Sequence, residues 1–144
     1  MYHKILVALD HTPADESLLP HVRDLARLTG AELVLVHVAD GWVAQWRDQL
    51  NLAESAEMRE DRAYLATVAE RLRSDGLIVS PVLSEGDPPR EILKAARSEG
   101  CDLIAMTTHG HRFVHDFLLG STIDKVRHES DIPLLLVRAG PRKE

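Results

Sequence analysis

Residues 103–137 read LIAMTTHGHRFVHDFLLGSTIDKVRHESDIPLLLV. The stretch opens on an apolar run, passes a polar turn rich in histidine, continues as a helical segment and ends on a second apolar run at 132–137. Two runs without polar alternation, joined by a helix, describe parallel strands covered on both faces, because a strand with one wet face would alternate. Within the helical piece, residues 121–129 begin S-T-I-D, a capping box in which Ser121 and Asp124 satisfy orphan amides reciprocally. Pro133 has no amide hydrogen, so the second run can use it only at a strand start or on a sheet edge.

Working outward, the apolar pattern recurs at 4–9 (KILVAL) and 33–38 (LVLVHV). Residues 77–83 (LIVSPVL) are a fifth candidate, which Pro81 demotes to an edge strand. Helical spacing fills the gaps. Residues 12–28 place Leu18, Val22, Leu25 and Ala26 on one face, with Thr12-Pro13 as cap and first turn and Gly30 as the stop. Pro20 either kinks this helix or delays its start. Residues 49–72 bury Leu65, Val68, Ala69 and Leu72. Residues 87–99 open on Asp87-Pro88, bury Ile92, Leu93 and Ala96, and close at Gly100. The order β-α-β-α-β-α-β-α-β predicts an α/β fold, a Rossmann-like parallel sheet between helices joined by right-handed crossovers. No linker or repeat interrupts it, so residues 1–144 are expected to form a single domain, with 138–144 a fraying polar tail.

Composition narrows the function classes. Of 144 residues, 44% are apolar and 28% charged, with a formal net charge of −6 and 4% aromatics. An acidic chain with few aromatics is a poor candidate for nucleic acid, which calls for a basic stripe or stacking platform. No apolar run approaches the roughly 20 residues of a membrane span, and no signal peptide is legible, so a cytoplasmic protein is expected. The single cysteine, Cys101, leaves no internal disulfide and reads as a small buried hydrophobe.

In an open doubly wound sheet, ligands bind beyond the carboxyl ends of the strands where the order reverses. That rule selects residues 10–12, 38–46 and 107–120. Asp10 could accept from a ribose hydroxyl, although a strand-end Asp also caps helices. Gly110 suits a turn or a close ligand approach. Gly120-Ser121-Thr122, placed at a helix start, would offer free amides and two hydroxyls to an anion such as phosphate.

These residues give the chain a resemblance to the universal stress proteins along nearly its whole length. It is carried by KILVALD (4–10), LVLVHV (33–38), GDPPREIL (86–93), DLIAMTTHG (102–110) and LLGSTIDKVRHESDIPLLLVR (118–138). The nucleotide-binding branch of that family carries Gly, two residues, Gly, nine residues, Gly, then Ser or Thr. Gly110 and Gly120-Ser121 match it, while Thr107 stands at the first glycine. The resemblance implies a three-layer α/β/α sandwich of the adenine nucleotide alpha hydrolase-like kind, its five-stranded parallel sheet ordered 3-2-1-4-5. It also implies a stress-response homodimer formed through residues 132–137, and ATP or AMP as ligand, with magnesium accompanying the nucleotide. By the same resemblance Asp10 contacts ribose and the Val38 backbone reads adenine. Met106, Thr107, His109, Gly110, Gly120, Ser121 and Thr122 supply the rest of the pocket. Ala8 and Leu9 stand where some nucleotide-binding members carry other residues.

Other features have plainer readings beside the sharp ones. His109, His111 and His115 form a cluster of imidazoles suited to zinc, copper or nickel, but a solvated loop explains them as well. His37 reads as a core or pocket-wall histidine. Trp42 and Trp46 read as a satellite core, a flap over the pocket or a partner-facing patch. The charge run 54–61 reads as a solvated helix face. No G-x-S-x-G, H-E-x-x-H or G-x-x-x-x-G-K-[ST] is present, so at most slow ATP hydrolysis is expected. The leading expectation is a nucleotide-binding sensor. The alternatives are a dimer working through protein partners and a metal-binding regulator using the three histidines.

Overall fold

The computed structural model describes residues 1–40, 51–108 and 116–140, with the side chains of 40, 51–55 and 116–120 excepted. The elements, in chain order, are β1 (Lys4–Ala8), α1 (Asp15–Thr29), β2 (Glu32–Asp40), α2 (Asn51–Ser74), β3 (Val79–Gly86), α3 (Pro88–Ser98), β4 (Leu103–Thr108), α4 (Asp116–Glu129) and β5 (Leu134–Arg138). The strands form one parallel sheet in the order β3-β2-β1-β4-β5. The order expected from the resemblance is therefore the one observed.

Alternation along the strands sorts their side chains into two cores, because successive residues point to opposite faces. Ile5, Val7, Leu33, Leu35, Leu103 and Ala105 pack against Leu18, Leu19 and Val22 of α1 and Leu65, Val68 and Leu72 of α2. Leu6, Val34, Val36, Ile104 and Met106 pack against Ile92, Leu93 and Ala96 of α3 and Val126 of α4. Helices thus cover both faces, which is why the strands show unbroken apolar runs.

The proline expectations are met where sheet chemistry decides them. Pro81 lies in β3, at one edge of the sheet. Pro133 lies just before β5 and lends its carbonyl to the Ile104 amide at 3.0 Å. Gly30 ends α1 in the left-handed region (φ 76°), its amide donating to the Ala26 carbonyl. Helix α1 starts before Pro20 and continues through it.

Several boundaries differ from the expected ones. Helix α1 starts at Asp15 rather than Thr12. Thr12, Pro13 and Ala14 instead make tight turns in which the amides of Asp15, Glu16 and Ser17 donate three residues back. The Thr12 hydroxyl is engaged by Asp10 Oδ1 at 2.6 Å, which holds the residue in that turn. Helix α4 starts at Asp116, five residues before the capping box, since DFLL contains no breaker and one glycine costs a helix only about 1 kcal/mol. The expectation of a frayed tail from 138 does not hold at its first residues: Arg138 ends β5, and the buried Ala139 donates its amide to the Thr108 carbonyl at 2.8 Å. Residues 141–144 lie outside the described residues. Among the described residues, no helix is long and apolar enough to cross a membrane.

Candidate functional site

The order reverses between β1 and β4, whose carboxyl ends lead their chains to opposite faces of the sheet. A cavity of about 160 Å³ lies there. Strand β1 and its continuation supply Ala8, Leu9 and Asp10, and β2 supplies Val36, His37 and Val38. Strand β4 contributes Met106 and Thr107, α3 contributes Pro88 and Ile92, and α4 contributes Thr122. The walls are mostly apolar, with Asp10, His37, Thr107 and Thr122 as polar points.

Of the residues singled out in the sequence, Asp10, Val38, Met106, Thr107 and Thr122 come together on this wall. Ser121 is exposed and is not among the wall residues. Gly120 and Ser121 sit in the second turn of α4, so their amides belong to its internal ladder. The expectation that they open a helix with free amides is corrected accordingly. His109, Gly110, His111 and His115 lie outside the described residues, as do Trp42 and Trp46. Among the described residues, no three His, Cys, Asp or Glu are arranged to hold a metal ion.

Thr107 stands where the motif has glycine. It is 4% exposed, and its hydroxyl has no hydrogen-bond partner among the described residues.

Behind Asp10 lies a network that the sequence did not announce. Asp15, fully buried in the first turn of α1, accepts the Asp10 amide on Oδ1 at 3.1 Å and the His11 amide on Oδ2 at 3.0 Å. The Tyr64 hydroxyl of α2 donates to the same Oδ2 at 2.5 Å. Burial, and then the Asp10 carboxylate beside it, push Asp15 up to about 7. Burial and the bond to Asp15 likewise raise Tyr64. His11 has a left-handed backbone (φ 61°), its ring stacks on Tyr64 at 4.0 Å, and its Nδ1 donates to Asp61 Oδ1 at 2.8 Å. His37 donates from Nδ1 to the Leu9 carbonyl at 2.9 Å and points Nε2 at Asp61 Oδ1, 3.5 Å away. His37 is thus the pocket-wall histidine of its expected alternatives. Asp61 corrects the reading of 54–61 as a solvated face, because it is 7% exposed and faces two imidazoles.

Pro88 and Ile92 were also not among the expected site residues. The helix start at Asp87-Pro88 was the available signal, since it lies on the carboxyl side of the sheet.

A family model described as the universal stress protein family matches residues 1–138. A universal stress protein of Methanocaldococcus jannaschii is 30% identical, with 96% of each chain covered. The solved structure of that same protein superposes with a TM-score of 0.83, at 31% identity, over 100% of this chain and 99% of its own. Two more distant structures share the fold. A universal stress protein of Archaeoglobus fulgidus in complex with dAMP is 19% identical, with a TM-score of 0.70 over 94% of this chain and 98% of its own. Another universal stress protein, in complex with cAMP, is 18% identical, with a TM-score of 0.71 over 96% and 98%.

Proposed function

The chain belongs to the universal stress protein family, and from that premise we propose that it binds an adenine nucleotide, ATP or AMP, in the cavity at the ends of β1 and β4. It would do so as a sensor or regulator in the cytoplasm rather than as an efficient enzyme. The observation that carries this reading is the convergence of Asp10, Val38, Thr107 and Thr122 on one cavity at the switch point of the sheet. The complexes of two relatives with dAMP and cAMP support the ligand class. In this reading Asp10 accepts from ribose, the Val38 backbone meets the base, and Met106 packs beside it. The Thr107 hydroxyl, which has no partner among the described residues, bonds to the ligand. Thr122, Ser121, Gly120, Gly110 and His109 are assigned to the phosphate side.

Magnesium fits as a companion of the phosphates rather than as a resident ion. It commonly binds through one or two carboxylates plus phosphate and water, and Asp10 is a carboxylate on the described wall. We further propose one domain over residues 1–144 and a homodimer paired through residues 132–137. Turnover of ATP should be slow, because efficient phosphoryl transfer needs positioned cations and an oriented nucleophile.

A second reading, a dimer working through protein partners, is favoured by the size of the cavity. About 160 Å³ lies below the roughly 300–1,000 Å³ of usual small-molecule pockets. Calorimetric titration of nucleotide-stripped protein with ATP and AMP, magnesium present, separates the two. Saturable binding at one site per chain is the expected result, and absence of both heat and thermal shift would overturn the nucleotide reading and turn the search to protein partners.

A further inference from the structure

The loop between β1 and α1 carries Asp10 onto the cavity wall, and its local bonds to Thr12 and Asp15 are joined there by contacts from the distant helix α2. Two of its amides, at Asp10 and His11, end on the two oxygens of Asp15, and the Tyr64 hydroxyl from α2 bonds to one of those oxygens. His11 sits in a left-handed conformation that side chains other than glycine rarely adopt. Its ring is held on one side by the Tyr64 ring and at Nδ1 by Asp61, again from α2. Asp61 also faces His37, whose other ring nitrogen holds the Leu9 carbonyl just before Asp10. Thus α2 grips the loop on both sides of Asp10, through residues about 50 positions away in sequence that do not line the cavity.

We propose that Tyr64 and Asp61 are positioning residues for ligand recognition: through Asp15, His11 and His37 they set where the Asp10 carboxylate presents itself to a ribose hydroxyl. The inference rests on the nucleotide reading above and adds to it the residues that decide discrimination at the sugar. Asp10 Oδ1 already takes the Thr12 amide and hydroxyl. The direction of the carboxylate therefore follows the backbone turn, and that turn follows α2. Loosening the grip should blunt sugar recognition more than overall uptake, because a hydrogen bond weakens steeply with misalignment while packing of the base does not.

The test uses ATP and its 2′,3′-dideoxy analogue, titrated calorimetrically into wild type, Tyr64→Phe and Asp61→Asn. Tyr64→Phe removes one hydroxyl and keeps the ring that stacks on His11, and Asp61→Asn keeps the shape and removes the charge. Wild type should prefer ATP by about tenfold or more, the scale of one hydrogen bond to a charged acceptor. In both variants the preference should shrink to about twofold, with the dideoxy compound bound about as in wild type, on the same scale. Equal weakening of both compounds, as a merely structural role would give, overturns the inference, and so does an unchanged preference. Wild type binding both compounds equally overturns it while leaving the nucleotide reading in place, whereas wild type binding neither overturns both. A measurement without ligand keeps the matter decidable if the variants are unstable. Exchange of the Asp10 and His11 amides should be slow in wild type and at least about tenfold faster in Tyr64→Phe, the same hydrogen-bond scale. Unchanged exchange in a folded variant overturns the grip itself.

Discussion

Asp15 is a carboxyl taken wholly out of water beside a second carboxylate, and its acidity is set by that burial. Because its pKa is raised from 3.8 to about 7 on folding, the native chain holds a proton there that the unfolded chain releases. The stability this group contributes is therefore complete below about pH 4 and is lost as the pH rises through about 7. Asp15→Asn does not titrate, so urea unfolding should show the stability difference between wild type and variant shrinking from pH 5 to pH 8. A difference constant over that range would contradict the assignment. Thr107 gives a prediction with two opposite signs. Thr107→Val keeps the shape and removes a buried hydroxyl that has no partner among the described residues, so the free protein should gain about 1 kcal/mol in urea unfolding. The same variant should bind ATP roughly 3- to 10-fold more weakly, the worth of one hydrogen bond, and Thr107→Ser should restore affinity. Neither residue stands out by type alone. Asp15 looks like an ordinary acid in a first helical turn, and Thr107 looks like a β-branched residue ending a strand.

At the scale of elements, α1 carries a proline at its sixth position, exposed and beyond the first turn where proline is tolerated. Pro20→Ala restores an amide to the ladder and loses no packing. Offset by the greater freedom of the unfolded chain, it should stabilise the protein by about 1–2 kcal/mol in urea unfolding. A loss of stability would mean that Pro20 supports the turn geometry of α1 rather than straining it. Helix α2 shows how a period can be legible while its partner is not. Leu65, Val68, Ala69 and Leu72 were readable as its buried stripe and are buried. Asp61 and Tyr64, also on this helix, meet the β1–α1 loop, and nothing local distinguishes an acid that faces two histidines from one that faces water. Helix α4 shows the converse, since a strong capping box at Ser121 did not fix the start of the helix. A cap contributes about 1 kcal/mol, too little to place a helix start when no proline in the preceding residues interrupts the helix.

For the whole molecule, β5 is an edge strand reading LLLVR, with Leu136 at 41% exposure. An apolar edge is a template for pairing, and a twofold partner offering the same edge would satisfy both. Sedimentation velocity at micromolar concentration should show a dimer, and Leu136→Lys should convert it to monomer while leaving the far-ultraviolet circular dichroism unchanged. A monomeric wild type would contradict the pairing. The sequence by itself determined the order of the elements, the parallel character of the sheet and the edge placement of the strand holding Pro81. Apolar period, proline chemistry and the residues at helix ends are local properties that survive without knowledge of any contact. It also marked Asp10, Val38, Met106, Thr107 and Thr122, because the carboxyl end of a strand is a place that can be counted along the chain. Only the tertiary structure decided what surrounds them: that Asp15 and Tyr64 hold the loop of Asp10, that Asp61 lies between His11 and His37, and that the Thr107 hydroxyl is buried without a partner among the described residues. Each of these depends on the distance between segments far apart in sequence, and that distance is set by how the helices pack on the sheet rather than by any residue's own preference.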